Sequence, residues 1–139
     1  MSRDDAFIKR RDTVLSPGKV TVIVITWNSL QYVKQTFPAL LKQQYRSIEY
    51  VIVDNGSIDG TVEFFKNEID KSSEKQITLI ENKENQGISI AKNQGVRHSS
   101  GDYVLLLDDD ILIQNHHFIA NIVDYYSKLP DPAFLMPFF

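Results

Sequence analysis

The chain has 139 residues, no cysteine, 42% hydrophobic and 24% charged content, and 15 basic against 18 acidic residues for a net charge of -3. That length fits one domain with room to bury roughly two-thirds of the extended-chain surface. The lack of cysteine excludes a disulfide scaffold, a cysteine nucleophile and thiolate-bound zinc or iron–sulfur centres, and the mild acidity argues against nucleic acid as a partner. No apolar run approaches the ~20 residues of a membrane span. The start, Met1-Ser2-Arg3-Asp4-Asp5, lacks the apolar core of a secretory signal, so the expected location is cytoplasmic.

Residues 1–18 are charged and end in Ser16-Pro17-Gly18, which reads as an arm and a turn ahead of a domain over 19–139. Val20 to Ile25 is a β-branched run without helical period, the pattern of a strand buried on both faces of a parallel sheet. Leu30 to Gln44 has helical spacing, with Pro38 inside it predicting a kink or restart. Ile48 to Val53 reads as a second strand, ended by Asp54-Asn55-Gly56-Ser57. Asp59-Gly60-Thr61 opens a helix to about Ile69, and Ile77 to Ile80 is a short third strand. Ile88 to His98 reads as a helix with Ile88, Ala91 and Gly95 on one side, the small pair allowing close packing. Tyr103 to Leu107 is a fourth strand, stopped by Asp108-Asp109-Asp110. Asn115 is placed to cap a helix through about Lys128, and Ala133 to Met136 begins another strand. The alternation predicts a three-layer α/β/α fold: an open, mostly parallel sheet with helices on both faces and right-handed crossovers.

In such sheets ligands bind outside the carboxyl ends of the strands, where the strand order reverses. Three strand ends here carry polar groups: Thr26-Trp27-Asn28, Asp54-Asn55-Gly56-Ser57 and the aspartate triplet. If the first and fourth strands are neighbours, this rim lies at the reversal. Three adjacent carboxylates repel one another unless something positive sits beside them. Mg²⁺ or Mn²⁺ suits such hard oxygen donors, usually through one or two carboxylates plus substrate phosphates. Strand alternation would put Asp108 and Asp110 on one side. The remaining signals are weak singly. Asn55-Gly56 is a favoured turn, and Asn85 and Gly87 suit a helix cap. Lys92 reads first as a solvated lysine and otherwise as a phosphate or base contact, and Trp27 as a core aromatic or one wall of a base pocket. His116 and His117 are adjacent and share no helix face, which argues against a metal pair.

In order and spacing, five stretches together resemble the family 2 glycosyltransferases of GT-A fold. They are residues 22–28, 51–61, 81–87 and 91–95, and then Ser100-Gly101-Asp102 through Asp110. The Trp27-Asn28 form and the triple aspartate look most like the rhamnosyltransferase-type branch. The resemblance implies a nucleotide-diphospho-sugar donor (UDP-, GDP- or dTDP-linked), a divalent metal, Mg²⁺ or Mn²⁺, and inverting transfer to a glycan, lipid or protein acceptor. On that template Thr26, Trp27 and Asn28 hold the nucleoside, Asp54 bonds the base, and Asn55 and Gly56 line its pocket. Lys92 and Asn93 lie on the helix approaching base and ribose. The triplet matches the family's DxD motif. Asp108 would meet the ribose or a metal-bound water, Asp110 would ligate the metal, and Asp109 is a lesser donor contact.

In the family, the general base and most of the acceptor site follow the DxD half. Here the sequence ends on the apolar run Phe134-Leu135-Met136-Pro137-Phe138-Phe139. The expectation is a donor-binding part without its acceptor half, and without an assignable general base. The rival reading is a non-catalytic interaction domain whose apolar end is an interface for self-association. A dinucleotide-binding domain is disfavoured, since no Gly-x-Gly-x-x-Gly follows the first strand.

Overall fold

The computed structural model describes residues 18–129. Four strands form one parallel sheet: β1 (Val20–Thr26), β2 (Ile48–Asp54), β3 (Gln76–Glu81) and β4 (Tyr103–Asp108), in the order β3-β2-β1-β4. The helices are α1 (Leu30–Leu40), α2 (Thr61–Lys71), α3 (Ile88–His98) and α4 (Phe118–Ser127). The predicted strand at 133–136, like the arm before residue 18, lies outside the described residues.

The β-branched runs explain the centre. Val22, Ile23, Val51, Ile52 and Val53 are each 0–1% exposed, so β1 and β2 are dry on both faces. On one face Val20, Val22, Val24, Tyr50 and Ile52 join Val33, Phe37 and Leu40 of α1, Phe65 of α2, and Ile119 and Val123 of α4. Phe37 stacks edge-on against Phe65 with ring centres 4.9 Å apart. On the other face Ile23, Val51 and Val53 pack against Ala91 of α3. The small residues of α3 bring it close, because a Cβ on Gly95 would lie 2.5 Å from Ile23 Cγ2. Ile88, expected on that packed side, is instead 53% exposed in the first turn. Since α3 contacts β1 and β2, Val104 and Leu106 of β4 stay about half exposed on that face, at 45% and 46%.

Two element ends differ from expectation. α1 stops at Leu40 rather than Gln44, two residues past Pro38, whose ring removes a donor from the ladder. The chain then tightens, with Lys42 N–H donating to the Ala39 carbonyl and Gln43 N–H to the Leu40 carbonyl. Gln43 is buried, and its amide caps α4: Oε1 accepts the Ile119 N–H at 3.0 Å and Nε2 donates to the Asn115 carbonyl at 2.8 Å. Asn115 itself bonds the His117 N–H in a turn ahead of α4, so the cap comes from a distant side chain.

The amino ends of the strands are closed by one carboxylate. Glu49 of β2 is 3% exposed. It accepts bonds from the Thr21 hydroxyl, the Ser100 N–H and hydroxyl, and Gln76 Nε2, and pairs with Lys19 Nζ at 2.8 Å. These partners come from β1, from β3, and from the segments leading into β1 and β4. Burial alone would raise its pKa, but the Lys19 ammonium and the hydroxyl and N–H donors outweigh that and push it down to about 2. The sign follows from linkage. The stabilisation is complete above the ordinary value of 4.5 and drains away as pH falls toward about 2. We expect Glu49→Gln to cost about 2–3 kcal/mol at pH 7, the worth of a lost charged hydrogen-bond set. Urea unfolding at pH 7 and pH 3 should show the gap between variant and parent narrowing in acid.

Candidate functional site

The carboxyl ends of β1, β2 and β4 meet where strand order reverses, because β1 lies between β2 and β4. Thr26 stands opposite Asp54 in register, and Ile25 opposite Asp108. The rim predicted from the polar strand ends is therefore assembled.

Asp54 and Thr26 are each 1% exposed. Asp54 Oδ2 accepts the Gly56 and Ser57 N–H groups at 3.1 and 2.9 Å, which holds the turn after β2. Asp54 Oδ1 and Thr26 Oγ1 are buried with no hydrogen-bond partner among the described residues. An unpaired buried polar atom costs roughly 1–3 kcal/mol, so the pair stands out in a sheet whose opposite end is saturated. Gly56 carries the turn at φ 83°, and a Cβ there would lie only 2.7 Å from the Glu84 backbone.

The loops after β1 and β2 are bonded to each other. Asn28 sits at φ 49°, a left-handed conformation that costs an ordinary residue energy and that asparagine tolerates. Its N–H donates to Ser57 Oγ at 2.8 Å, and its Oδ1 accepts the Ile58 N–H at 2.8 Å. Trp27 is 52% exposed, which removes the core alternative for it. Asp59, read from sequence only as a helix start, serves two helices. Its Oδ1 accepts the Thr61 N–H and hydroxyl at the start of α2, and its Oδ2 accepts the Leu30 N–H of α1 at 3.0 Å. Although desolvation opposes it, those donors from Thr61 and Leu30 hold its pKa below the ordinary value.

Asn55 is 3% exposed and heads a chain of side-chain amides. Its Nδ2 donates to Asn85 Oδ1 at 2.9 Å, and its Oδ1 accepts from Asn82 Nδ2 and the Gln86 N–H, both at 3.1 Å. Asn82 and Gln94 pair reciprocally, with both bonds at 2.8 Å. Asn85 Oδ1 also accepts the Gly87 N–H. Sequence reasoning gave Asn85 a capping role and missed the network. The crowding of amides at 82, 85 and 86 was its only local signal. Lys92 and Asn93 are exposed on α3, whose first turn follows this loop.

The triplet departs from expectation in backbone form. β4 ends at Asp108, and Asp109 and Asp110 form a turn closed by the Ile111 N–H on the Asp108 carbonyl. Strand alternation therefore does not reach Asp110. Thr36 of α1 fixes this turn by donating to the Asp109 carbonyl at 2.7 Å. Asp108 and Asp110 are exposed and Asp109 is half-buried. Among the described residues none of the three side chains has a hydrogen-bond or ion-pair partner, and no group of three metal-ligating residues forms a closed cage. Exposed hard oxygens without protein partners fit a cation shared with a ligand's phosphates better than a cation enclosed by protein. His116 and His117 are both exposed and outside the rim.

Comparison with known proteins agrees with this geometry. The family model for glycosyl transferase family 2 matches residues 21–137. A glycosyltransferase of Haemophilus influenzae is 35% identical over 96 residues, 69% of this chain and 38% of that protein. S. aureus TarS 1–349, solved in complex with UDP, superposes with a TM-score of 0.70 at 26% identity, over 79% of this chain and 32% of that one. The mannosyltransferase PcManGT from Pyrobaculum calidifontis, solved with GDP-Man and Mn2+, superposes with a TM-score of 0.73 at 25% identity, over 91% and 39%. The fold is that of the GT-A glycosyltransferases, and the chain belongs to glycosyl transferase family 2. It spans under two-fifths of the length of each of these three relatives. Among the described residues no helix is long and apolar enough to cross a membrane.

We expect Asp59→Ala to cost about 1–2 kcal/mol, as loss of a cap does. Urea denaturation checks this, and Asp59→Asn should recover part of the loss.

Proposed function

We propose that this chain supplies the donor site of a glycosyltransferase that moves a sugar from a nucleotide diphosphate to an acceptor hydroxyl. The observation that carries the reading is the buried, unpartnered Asp54 Oδ1 beside the equally unpartnered Thr26 Oγ1 at the reversal of strand order. A carboxylate oxygen only accepts, so a ring N–H on the base suits it, with the exocyclic amino groups of cytosine and adenine as the competing donors. Uracil, thymine and guanine have one in the pairing edge, whereas cytosine and adenine present a bare ring nitrogen there. UDP-, dTDP- and GDP-linked donors therefore suit the site, and similar proteins are solved with UDP and with GDP-Man. Asn55 and Gly56 would line the base pocket. Trp27 and Asn28 would flank the nucleoside, and Lys92 and Asn93 would approach base and ribose from α3.

Asp110, with Asp108 beside it, would hold a divalent cation, Mg²⁺ or Mn²⁺. Asp109 would contribute less, since it is half-buried and its backbone is tied to Thr36. When bound, the cation supplies Lewis-acid stabilisation of the departing diphosphate. The chain's own residues bind and orient. Asp54 fixes the base, the joined loops after β1 and β2 hold the nucleoside, and the Asp108–Asp110 turn faces the diphosphate. Transfer with inversion, assisted by a carboxylate that takes the acceptor's proton, is the reaction this arrangement serves. A cytoplasmic setting fits a chain without cysteine.

Calorimetric titration tests the reading. UDP, dTDP or GDP should bind with Mn²⁺ present, and CDP and ADP at least about tenfold more weakly, a difference of about 1.4 kcal/mol. Asp54→Asn, which places an amide where an acceptor is needed, should weaken binding by a similar factor. Asp110→Ala should abolish the metal dependence. Tight metal-dependent binding that survives Asp110→Ala would refute the assignment of the cation.

A further inference from the structure

We propose that the amide chain Gln94–Asn82–Asn55–Asn85 is a positioning device, which sets the height of the 82–87 loop and the first turn of α3 over the nucleotide. This deepens the donor-site reading and rests on it. The chain ties α3 and the 85–87 loop, which no strand pairing reaches, to the paired ends of β2 and β3.

Its bonding leaves little freedom. Asn82 has two N–H donors, and both are used, one on Asn55 Oδ1 and one on Gln94 Oε1. Gln94 returns a bond to Asn82 Oδ1, so turning either amide over would set oxygen against oxygen and nitrogen against nitrogen. That fixes the polarity of Asn55, whose Oδ1 receives two donors and whose Nδ2 faces Asn85. Asn55 and Asn85 then hold the Gln86 and Gly87 N–H groups, the two residues before α3. The order set at Gln94 therefore reaches the loop through three side chains. Gln94 touches neither Gln86 nor Gly87 by any of these bonds, yet it shares α3 with Lys92 and Asn93. Two terminal anchors define the span. The Asn82 N–H donates to the Asp54 carbonyl at 2.9 Å, and Gly56 gives the Glu84 backbone room to close down. Ala91 and Gly95 pack the body of α3 on the sheet, but residues 83–90 are all exposed, so the height of the loop and of the first turn above Asp54 is held by amides.

The test is amide hydrogen exchange on the ligand-free chain, with UDP and Mn²⁺ titration beside it. Asn82→Asp removes both donors and sets a charge against Asn55 Oδ1, and Gln94→Met removes only the remote pair. Exchange at Gln86 and Gly87 should quicken about tenfold in Asn82→Asp and by a smaller factor in Gln94→Met, with Val51 and Val53 unchanged as a control for folding. UDP affinity should fall in the same order. Unchanged exchange at Gln86 and Gly87 in both variants would overturn the inference, as would undiminished UDP affinity in both. Failure of the parent chain to bind any nucleoside diphosphate would overturn the donor-site reading instead. The exchange result would then decide the ordering of the loop by itself.

Discussion

Water is excluded from both faces of β1 and β2, and that constraint decides where every polar group on them can stand. In the middle of the sheet Val22–Ile25 of β1 and Val51–Val53 of β2 carry only apolar side chains, and the Tyr50 hydroxyl reaches out to the Leu40 carbonyl. Thr21 and Glu49 lie at one end and Thr26 and Asp54 at the other. The two carboxylates are nearly equally buried, at 3% and 1%, but they are treated in opposite ways. Glu49 is surrounded by donors from all around the sheet and by a lysine, so its charge is stabilised in place. Asp54 spends one oxygen on its own turn, and the other has no partner among the described residues. The same fold thus satisfies one buried carboxylate completely and the other only in part, and this contrast is what the donor-site proposal rests on.

Topology explains why that end also gathers the other ingredients. The links from β1 to β2 and from β2 to β3 run in one direction across the sheet and bury α1 and α2 on one face. The next link must pass back over β2 and β1 to reach β4, and it carries α3 across the opposite face. The loops after β1 and β4 leave neighbouring strands, and both lead to helices on the face that carries α1. Asn28 and the aspartate turn therefore follow adjacent strand ends, and Thr36 of α1 is bonded to that turn. The loop before α3 leans over the same end from the other face and is bound to Asn55. Charge, acceptor and cover come from different segments and meet only because the strand order reverses.

Much of this was legible in the sequence. Runs such as Val20 to Ile25 have one stable use, and each of the four strands among the described residues appears within a residue or two of its expected bounds. Ala91 and Gly95 announced the close approach of α3, and the strand ends announced the rim. What was missed depends on contacts between distant residues. Glu49 reads locally as an ordinary polar strand residue, and its weight comes from partners up to 51 residues away. Gln43 reads as the tail of a helix, yet it caps one 76 residues later. Ile88 follows the apolar spacing of α3 but falls in its first turn, where the helix has not yet reached the sheet. Asn82, Asn85 and Gln94 carry no periodic signal, because amides find partners by orientation rather than by spacing.

Backbone strain follows the same division. Asn28, Gly56, Gly60 and Gly87 hold the positive φ angles among the described residues, and each lies in a loop that leaves a strand's carboxyl end. No such residue occurs in the described loops at the amino ends, where the chain must turn just as often. Strained conformations persist only where the surroundings over-determine them. Here the determining contacts are known one by one: Ser57 and Ile58 on Asn28, Asp54 on Gly56, Asp59 beside Gly60, and Asn85 on Gly87. In each case a polar side chain at this end of the sheet bonds the peptide at or next to the positive-φ residue, and only at Asn28 is the conformation itself costly, since glycine adopts it freely. The cost of that shape, and of the two unpartnered oxygens beneath it, is concentrated at the one end of the sheet that remains open.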